Sequence, residues 1–310
     1  MEEPATHSRY WGKTGAMLIK LYHLLQKKKV QRILAVIQYA LIAAIFVYLI
    51  RLAGKVDFSG LKYAFIALSA VSVALLRINS IYRLHILLKS LSIPFRNLWK
   101  IQSWALLAGL FTPGKAGESI IVWSLGKGKD EKIKIASLFT VSKLFDGIVY
   151  VPFGLIFAWL YPGYLKYVLI LLSLFVVLLL AYAKINKILK IESKELKNPF
   201  IYILTIVSIF LQVVGLYLVL LSKGVEISFL NTSLIWSIAS IVALLSTLPG
   251  GIGAREAGIS YLLNQFAGVD FSAAVSVSLL HGFVLYSTTF LFAMISKIMI
   301  KENASAMAKM

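Results

Sequence analysis

Cysteine is absent from the 310-residue chain, which excludes a disulfide framework and any thiolate metal site. Acidic residues are scarce, 13 Asp and Glu against 32 Lys and Arg. The four histidines, His7, His23, His85 and His281, are scattered, with no pair at ligand spacing. There is also no clustered acidic metal site and no nucleophile with a base nearby in sequence. An enzyme is therefore the least expected class, and no metal or cofactor is expected. Nor do the apolar stretches alternate with a period of two, which argues against a membrane β-barrel. The N-terminus has no signal-peptide layout, because polar and basic residues fill it and no small-residue cleavage site follows the first apolar run.

What is present is apolar: 59% of the residues are hydrophobic, far above the share of a soluble domain. The runs "ILAVIQYALIAAIFVYLI" (33–50), "YVLILLSLFVVLLLAYA" (167–183) and "PFIYILTIVSIFLQVVGLYLVLLS" (199–222) approach or exceed the roughly 20 residues that cross a bilayer. The expected fold is an all-α polytopic membrane protein. A net charge of +19 first suggests nucleic acid, but the distribution of Lys and Arg argues against it. With the N-terminus inside, 25 of the 32 fall in cytoplasmic segments and five in outer loops. That bias orients the chain with both termini cytoplasmic, in the plasma membrane. Residues 1–31 read as a basic segment whose part 13–29 is an amphipathic helix on the inner surface. Residues 32–297 form the transmembrane domain, and 298–310 a short tail.

Six full crossings are expected, at 32–52, 61–79, 133–161, 165–184, 199–222 and 271–297. Two further apolar pieces, 97–125 and 229–267, are each broken near the centre, by "LFTPGKAGES" (110–119) and "STLPGGIGAREAG" (246–258). Each reads as two half-helices, forming a re-entrant hairpin or two short spans. The motifs share a grammar. Pro113-Gly114 and Pro249-Gly250-Gly251 are each followed by a glycine four residues after the proline, Gly117 or Gly253, and then by a glutamate, Glu118 or Glu256. Twenty-five residues beyond each glutamate lies an ionisable residue in the next long span, Lys143 or His281. Three crossings separate the motifs, so they would enter from opposite sides as an inverted-topology repeat with its site near the midplane.

Pro and Gly end the incoming half-helix. The next helix then starts with free N–H groups and a dipole suited to phosphate or carboxylate. Backbone left unpaired at membrane depth requires protein or water around it, so the motifs are expected to line a wet, enclosed cavity. Glu118 and Glu256 fit capping, or a proton or cation carrier coupled to lipid movement. Arg255 either pairs with Glu256 or holds a phosphate, and Lys115 either joins it or snorkels outward. Lys143 and Asp146, at i and i+3, read first as a structural ion pair. His281 reads as a hydrogen-bonded intramembrane histidine or a proton relay. In "RINSIYR" (77–83), Arg77 and Arg83 are expected to mark the inner boundary, with headgroup contact open there.

"LFTPGKAGES", "VSKLFDG", "LPGGIGAREAG" and "SLLHGF", with the preceding "RINSIYR", resemble the lysylphosphatidylglycerol synthase transmembrane-region family of flippase-like proteins. The resemblance covers about residues 30–300. It implies an eight-segment membrane domain that moves, or helps move, a charged lipid between leaflets. Ser142-Lys143 stands where family members often carry Glu-Arg, and His281 where they often carry arginine. The tail after 297 is too short for a soluble aminoacyl-transferring domain, so synthase activity is not expected. The leading expectation is a transporter of an anionic or polyprenyl-phosphate-linked lipid, with membrane lipid as its partner. A homodimer or a lipid-modifying enzyme as partner stays open. Alternatives are a secondary transporter of a small anion, protons or cations, and a non-transporting partner of a glycosyltransferase.

Overall fold

The computed structural model describes residues 60–112, 117, 119–126, 128–160, 173, 176–177, 180, 198–246 and 251–307. Among them there are helices and no strands. They are α1 (Tyr63–Leu87), α2 (Phe95–Phe111), α3 (Ser119–Leu125), α4 (Lys129–Leu160), α5 (Pro199–Ser222), α6 (Phe229–Leu245), α7 (Ala254–Ala267) and α8 (Phe271–Met307), with a 3-10 turn at Lys89–Leu91. The expected basic segment 1–31 and the crossing 32–52 lie outside the described residues, as does nearly all of 165–184.

Local chemistry sets the helix ends. Asn198 Oδ1 accepts the Phe200 N–H at 3.0 Å, and Pro199 opens α5, where a missing N–H costs nothing. Ser228 Oγ accepts the Asn231 N–H at the start of α6. Gly268, at φ +64, ends α7, with the Val269 N–H returning to the Leu263 carbonyl, a left-handed cap that glycine allows. Asp270 Oδ2 then accepts the N–H groups of Ser272 and Ala273 at the head of α8, where a carboxylate also favours the helix dipole.

Burial is inverted relative to a soluble protein. On α1, Leu68, Val71, Leu75, Ile78 and Tyr82 are exposed, while Ser69, Ser72, Asn79 and Arg83 are buried. The outer faces of α5 (Phe200, Ile203, Ile206, Phe210) and α8 (Phe283, Phe290, Leu291) are likewise apolar and exposed. Apolar faces this continuous are far larger than a soluble monomer tolerates. They suit hydrocarbon, with the polar groups satisfied inside. Among the described residues, α1, α5 and the Phe271–Lys297 part of α8 are long and apolar enough to cross a membrane, and Phe229–Ala243 is a shorter apolar helix. The molecule is an α-helical membrane protein.

The centre of the bundle is the antiparallel pair α1/α5. Ser69 Oγ donates to the Gly215 carbonyl and Ser72 Oγ to that of Leu211, both at 2.8 Å. Asn79 Nδ2 reaches the Leu204 carbonyl and Ser208 Oγ, both at 2.7 Å. Small residues and side-chain hydrogen bonds hold helices together where lipid removes the hydrophobic drive; each bond contributes on average about 0.6 kcal/mol. Both Pro-Gly pieces are broken where the sequence indicates: α2 stops at Phe111 and α3 starts at Ser119, while α6 stops at Leu245 and α7 starts at Ala254. In the second piece the halves form an antiparallel hairpin. A Cβ on Gly251 would lie 2.9 Å from Ala243 Cβ, and one on Gly258 3.3 Å from Ala239 Cβ.

One expected boundary moves. The second span-like helix continues past residue 79 to Leu87, with Arg77 and Arg83 turned into the bundle. Helix α8 runs through to Met307, and its span-like part ends at Lys297, where the last crossing is expected to end.

Candidate functional site

A cavity of about 530 Å³ opens among the helices, and each of α1 to α8 contributes side chains to it. On α1 the lining residues Leu76, Arg77, Ser80, Arg83, Leu84 and Leu87 follow three- and four-residue spacing, which places them on one helical stripe. Helix α4 contributes Ser142, Asp146 and Tyr150, helix α7 Arg255 from its first turn, and α8 Tyr286. Gln102, Ser208, Gln212 and Ser240 add neutral polar groups. The charged lining among the described residues is three guanidiniums and one carboxylate.

Arg83 and Asp146 form a two-pronged ion pair between α1 and α4: Nη1 bonds Oδ1, and Nη2 bonds Oδ2 at 3.1 Å. Arg83 Nη1 also reaches Thr205 Oγ1 of α5 at 3.1 Å. The fork matches the carboxylate, which is the geometry that makes arginine stronger than lysine here. Asp146 is thus bound by an arginine 63 residues away in sequence; the Lys143 side chain, its expected partner, lies outside the described residues. Arg83 is accordingly a cavity residue.

Arg77 and Arg255 come from α1 and α7, and both line the cavity together with Tyr286. Arg77 Nη2 donates to Thr289 Oγ1, one turn further along α8, at 2.5 Å. The Arg255 guanidinium sits 5.6 Å from the ring centre of Trp236, a cation–π contact. Behind it, Glu256 is buried. Its Oε2 accepts the Gly253 N–H at 2.6 Å and its Oε1 accepts the Tyr286 hydroxyl at 2.7 Å. Glu256 thus caps its own helix from the N3 position. It ties that helix start to α8 and is not among the residues lining the cavity. Gly253, at φ +84, supplies a backbone conformation that other residues rarely adopt.

His281 is buried, edge-on to Trp236 at 5.1 Å between ring centres. It packs near Gly215 of α5 and does not line the cavity. Gly117 N–H donates to Thr112 Oγ1 at 2.6 Å, and Thr112 Oγ1 donates to the Ala108 carbonyl at 3.0 Å, so the first motif folds back on the end of α2. Pro113, Gly114, Lys115, Glu118, Pro249 and Gly250 lie outside the described residues. The structure therefore joins Arg77, Asp146 and Arg255 in one cavity and keeps Glu256 and His281 behind its wall.

Arg83, which sequence reasoning set at the boundary with headgroup contact open, lines the cavity, as do Tyr150 and Tyr286, which it missed. The first two had a signal: Arg83 follows Arg77 and Ser80 at steps of three, and Tyr150 follows Asp146 at a step of four. Tyr286 had none, because its role depends on a contact across helices with Glu256.

The lysylphosphatidylglycerol synthase transmembrane-region family model matches residues 34–293. A protein described as a UPF0104 membrane protein, from Methanothermobacter thermautotrophicus, is 39% identical over 79 residues. That stretch is 26% of this chain and 23% of the relative, so the chain matches less than a quarter of that protein's length. No solved structure matches.

Proposed function

The chain belongs to the lysylphosphatidylglycerol synthase transmembrane-region family, and from that premise we propose that it is a flippase-like transporter, not an enzyme. In this reading it moves an anionic or polyprenyl-phosphate-linked lipid between the leaflets of the plasma membrane. The observation that carries the proposal is the placement of Arg77, Arg83 and Arg255 in one headgroup-sized cavity, inside helices whose outer faces are apolar. Buried charge inside a membrane bundle is costly and marks a path or site. A phosphate matches the planar fork of arginine, while acyl or prenyl chains would remain against the apolar outer faces.

The inverted repeat is part of the proposal. It pairs α1 with α5, α2 with α6, α3 with α7 and α4 with α8. Under that exchange the packing of α2 on α8 corresponds to that of α4 on α6. Likewise α3 on α4 corresponds to α7 on α8, and α1 on α8 to α5 on α4. The α1/α5 pair maps onto itself, as helices beside a two-fold axis would. This pairing supports a site between two halves that rock against each other. The bias of Lys and Arg toward one side supports cytoplasmic termini.

Reconstitution into liposomes with fluorescent lipids tests the reading. Protein-dependent leaflet exchange is expected for anionic lipids, and the Arg77→Gln/Arg255→Gln variant, folded by size-exclusion criteria, is expected to lose most of it. If all lipids stay in place while a soluble anion or proton flux appears, the protein is a small-solute transporter.

A further inference from the structure

The two halves of the proposed repeat are packed differently. Trp99, Ile101 and Ser103 of "WKIQS" (99–103) on α2 recur as Trp236, Ile238 and Ser240 of "WSIAS" (236–240) on α6, 137 residues on. For the helices that follow, the motif glutamates set an offset of 138, the same that relates Lys143 to His281. In this register the cavity-lining residues Gln102 of α2 and Val122 of α3 correspond to Ala239 of α6 and Ser260 of α7. Ala136 and Phe139 of α4, which also line the cavity, correspond to Ala274 and Val277 of α8.

No member of the second set lines the cavity. Each is at most 4% exposed, and Ala239, Ala274 and Val277 share one apolar core with Trp236, Ile259 and Leu262. The same wall is therefore parted in the first half and shut in the second. Halves that rock about a shared site exchange two such arrangements, because packed interfaces are bistable and do not deform continuously. The parted wall reaches Leu87, the last residue of α1, an end that faces the cytoplasm in the proposed orientation.

Two differences in side chains favour the shut arrangement of the second half. Gly258 lets α7 come against α6, where a Cβ would stand 3.3 Å from Ala239 Cβ. The corresponding residue of α3 is Ile120, which brings a branched side chain where α7 has none. Ser260 Oγ and Ser278 Oγ share a hydrogen bond of 2.7 Å between α7 and α8. The residue corresponding to Ser260 is Val122, which has no hydroxyl to offer.

From this asymmetry we infer that the protein exchanges between two states, and that this structure is the one open on the α1–α4 side. The contact of α6, α7 and α8 at Ala239, Gly258 and the Ser260–Ser278 bond is the gate on the opposite side. When that gate parts, the wall at Gln102, Val122 and Ala136 closes. The inference deepens the transporter reading and rests on its repeat.

The test uses Ala136→Cys and Ala274→Cys, corresponding positions in a chain without cysteine. The full chain in nanodiscs is treated with a small hydrophilic methanethiosulfonate, and the rate of labelling is read. The thiol at 136 is expected to react about tenfold or more faster than the thiol at 274, which is reached only through a minor state of about 10% population or less. Ser260→Val or Gly258→Ile, each importing the residue of the first half, is expected to speed labelling at 274 about threefold or more, the worth of one interhelical hydrogen bond. Val122→Trp adds bulk to the parted wall, within a cavity of about 530 Å³. It is expected to hold that wall open and slow labelling at 274 severalfold, which local loosening of the gate would not do.

Equal rates at 136 and 274 in the otherwise unchanged chain overturn the inference. So does an unchanged rate at 274 in both Ser260→Val and Gly258→Ile. Acceleration by those two without slowing by Val122→Trp shows a gate that breathes alone, and overturns the exchange. Lipid transfer that persists in any of these cases leaves the transporter reading standing. The expected labelling pattern in a protein that transfers no lipid sinks that reading and leaves the gate.

Discussion

Alanine at position 117 is expected to destabilise the protein by about 3 kcal/mol or more, beyond the usual cost of one extra methyl in a packed core. Its Cβ would overlap the main chain of Ala108 and Gly109, at the end of α2. Backbone held by α-helical hydrogen bonds cannot rotate aside as a side chain can. Relief requires the motif to move away from α2, which would break the Gly117 N–H to Thr112 bond. Gly109 and Ser119 on either side of that turn both line the cavity, so lipid exchange is expected to fall with stability. In detergent the thermal midpoint should drop by about 6–12 °C, taking 2–4 °C per kcal/mol. Gly128→Ala is the control: a Cβ there meets nothing within 4 Å, and its midpoint should not change measurably. A Gly117→Ala midpoint equal to that of the control would contradict the close approach.

Asp146→Ala is expected to cost about 3 kcal/mol, the low end of the range for stranding one partner of a buried ion pair. The low end applies because Arg83 is 9% exposed and Asp146 26% exposed at the side chain, so water can partly reach the stranded guanidinium. Replacing both residues, as in Arg83→Met/Asp146→Leu, removes the stranded charge and should recover most of the loss, because buried ion pairs are close to neutral against apolar substitutes. A double-mutant cycle on thermal midpoints checks this. Asp146→Ala should retain anionic lipid at least as well as the wild type, since it raises the positive charge of the cavity. A double variant no more stable than the single one would contradict the pairing.

The membrane class, the two helix breaks and the residues around them were legible because they are local. Apolar run length identifies a span, and Pro-Gly at 113–114 and 249–250 interrupts one. The part that was not legible is relational. Arg83 and Asp146 meet only once the fold brings α1 and α4 within reach of two side chains, and nothing in i, i+3 spacing separates a partner on the same helix, Lys143, from one 63 residues away. Arg77 and Arg83 looked like boundary residues because basic residues near a span end usually are. Their side of the helix was the deciding information: Ile78 and Tyr82 face outward while Arg77, Ser80 and Arg83 face the cavity. The two motif glutamates looked alike in sequence. For Glu256, at least, the carboxylate closes its own helix start.

The absence of cysteine makes one measurement especially direct. Ser240 lines the cavity and Val242, two residues on along α6, is exposed on its outer face. Ser240→Cys and Val242→Cys each give a protein with a single thiol, to be reconstituted and treated with a bulky methanethiosulfonate during the lipid-exchange assay. If lipid headgroups pass through the cavity, labelling at 240 reduces exchange to the protein-free rate and labelling at 242 leaves it unchanged. Exchange that continues at full rate with residue 240 quantitatively labelled would contradict the cavity as the path.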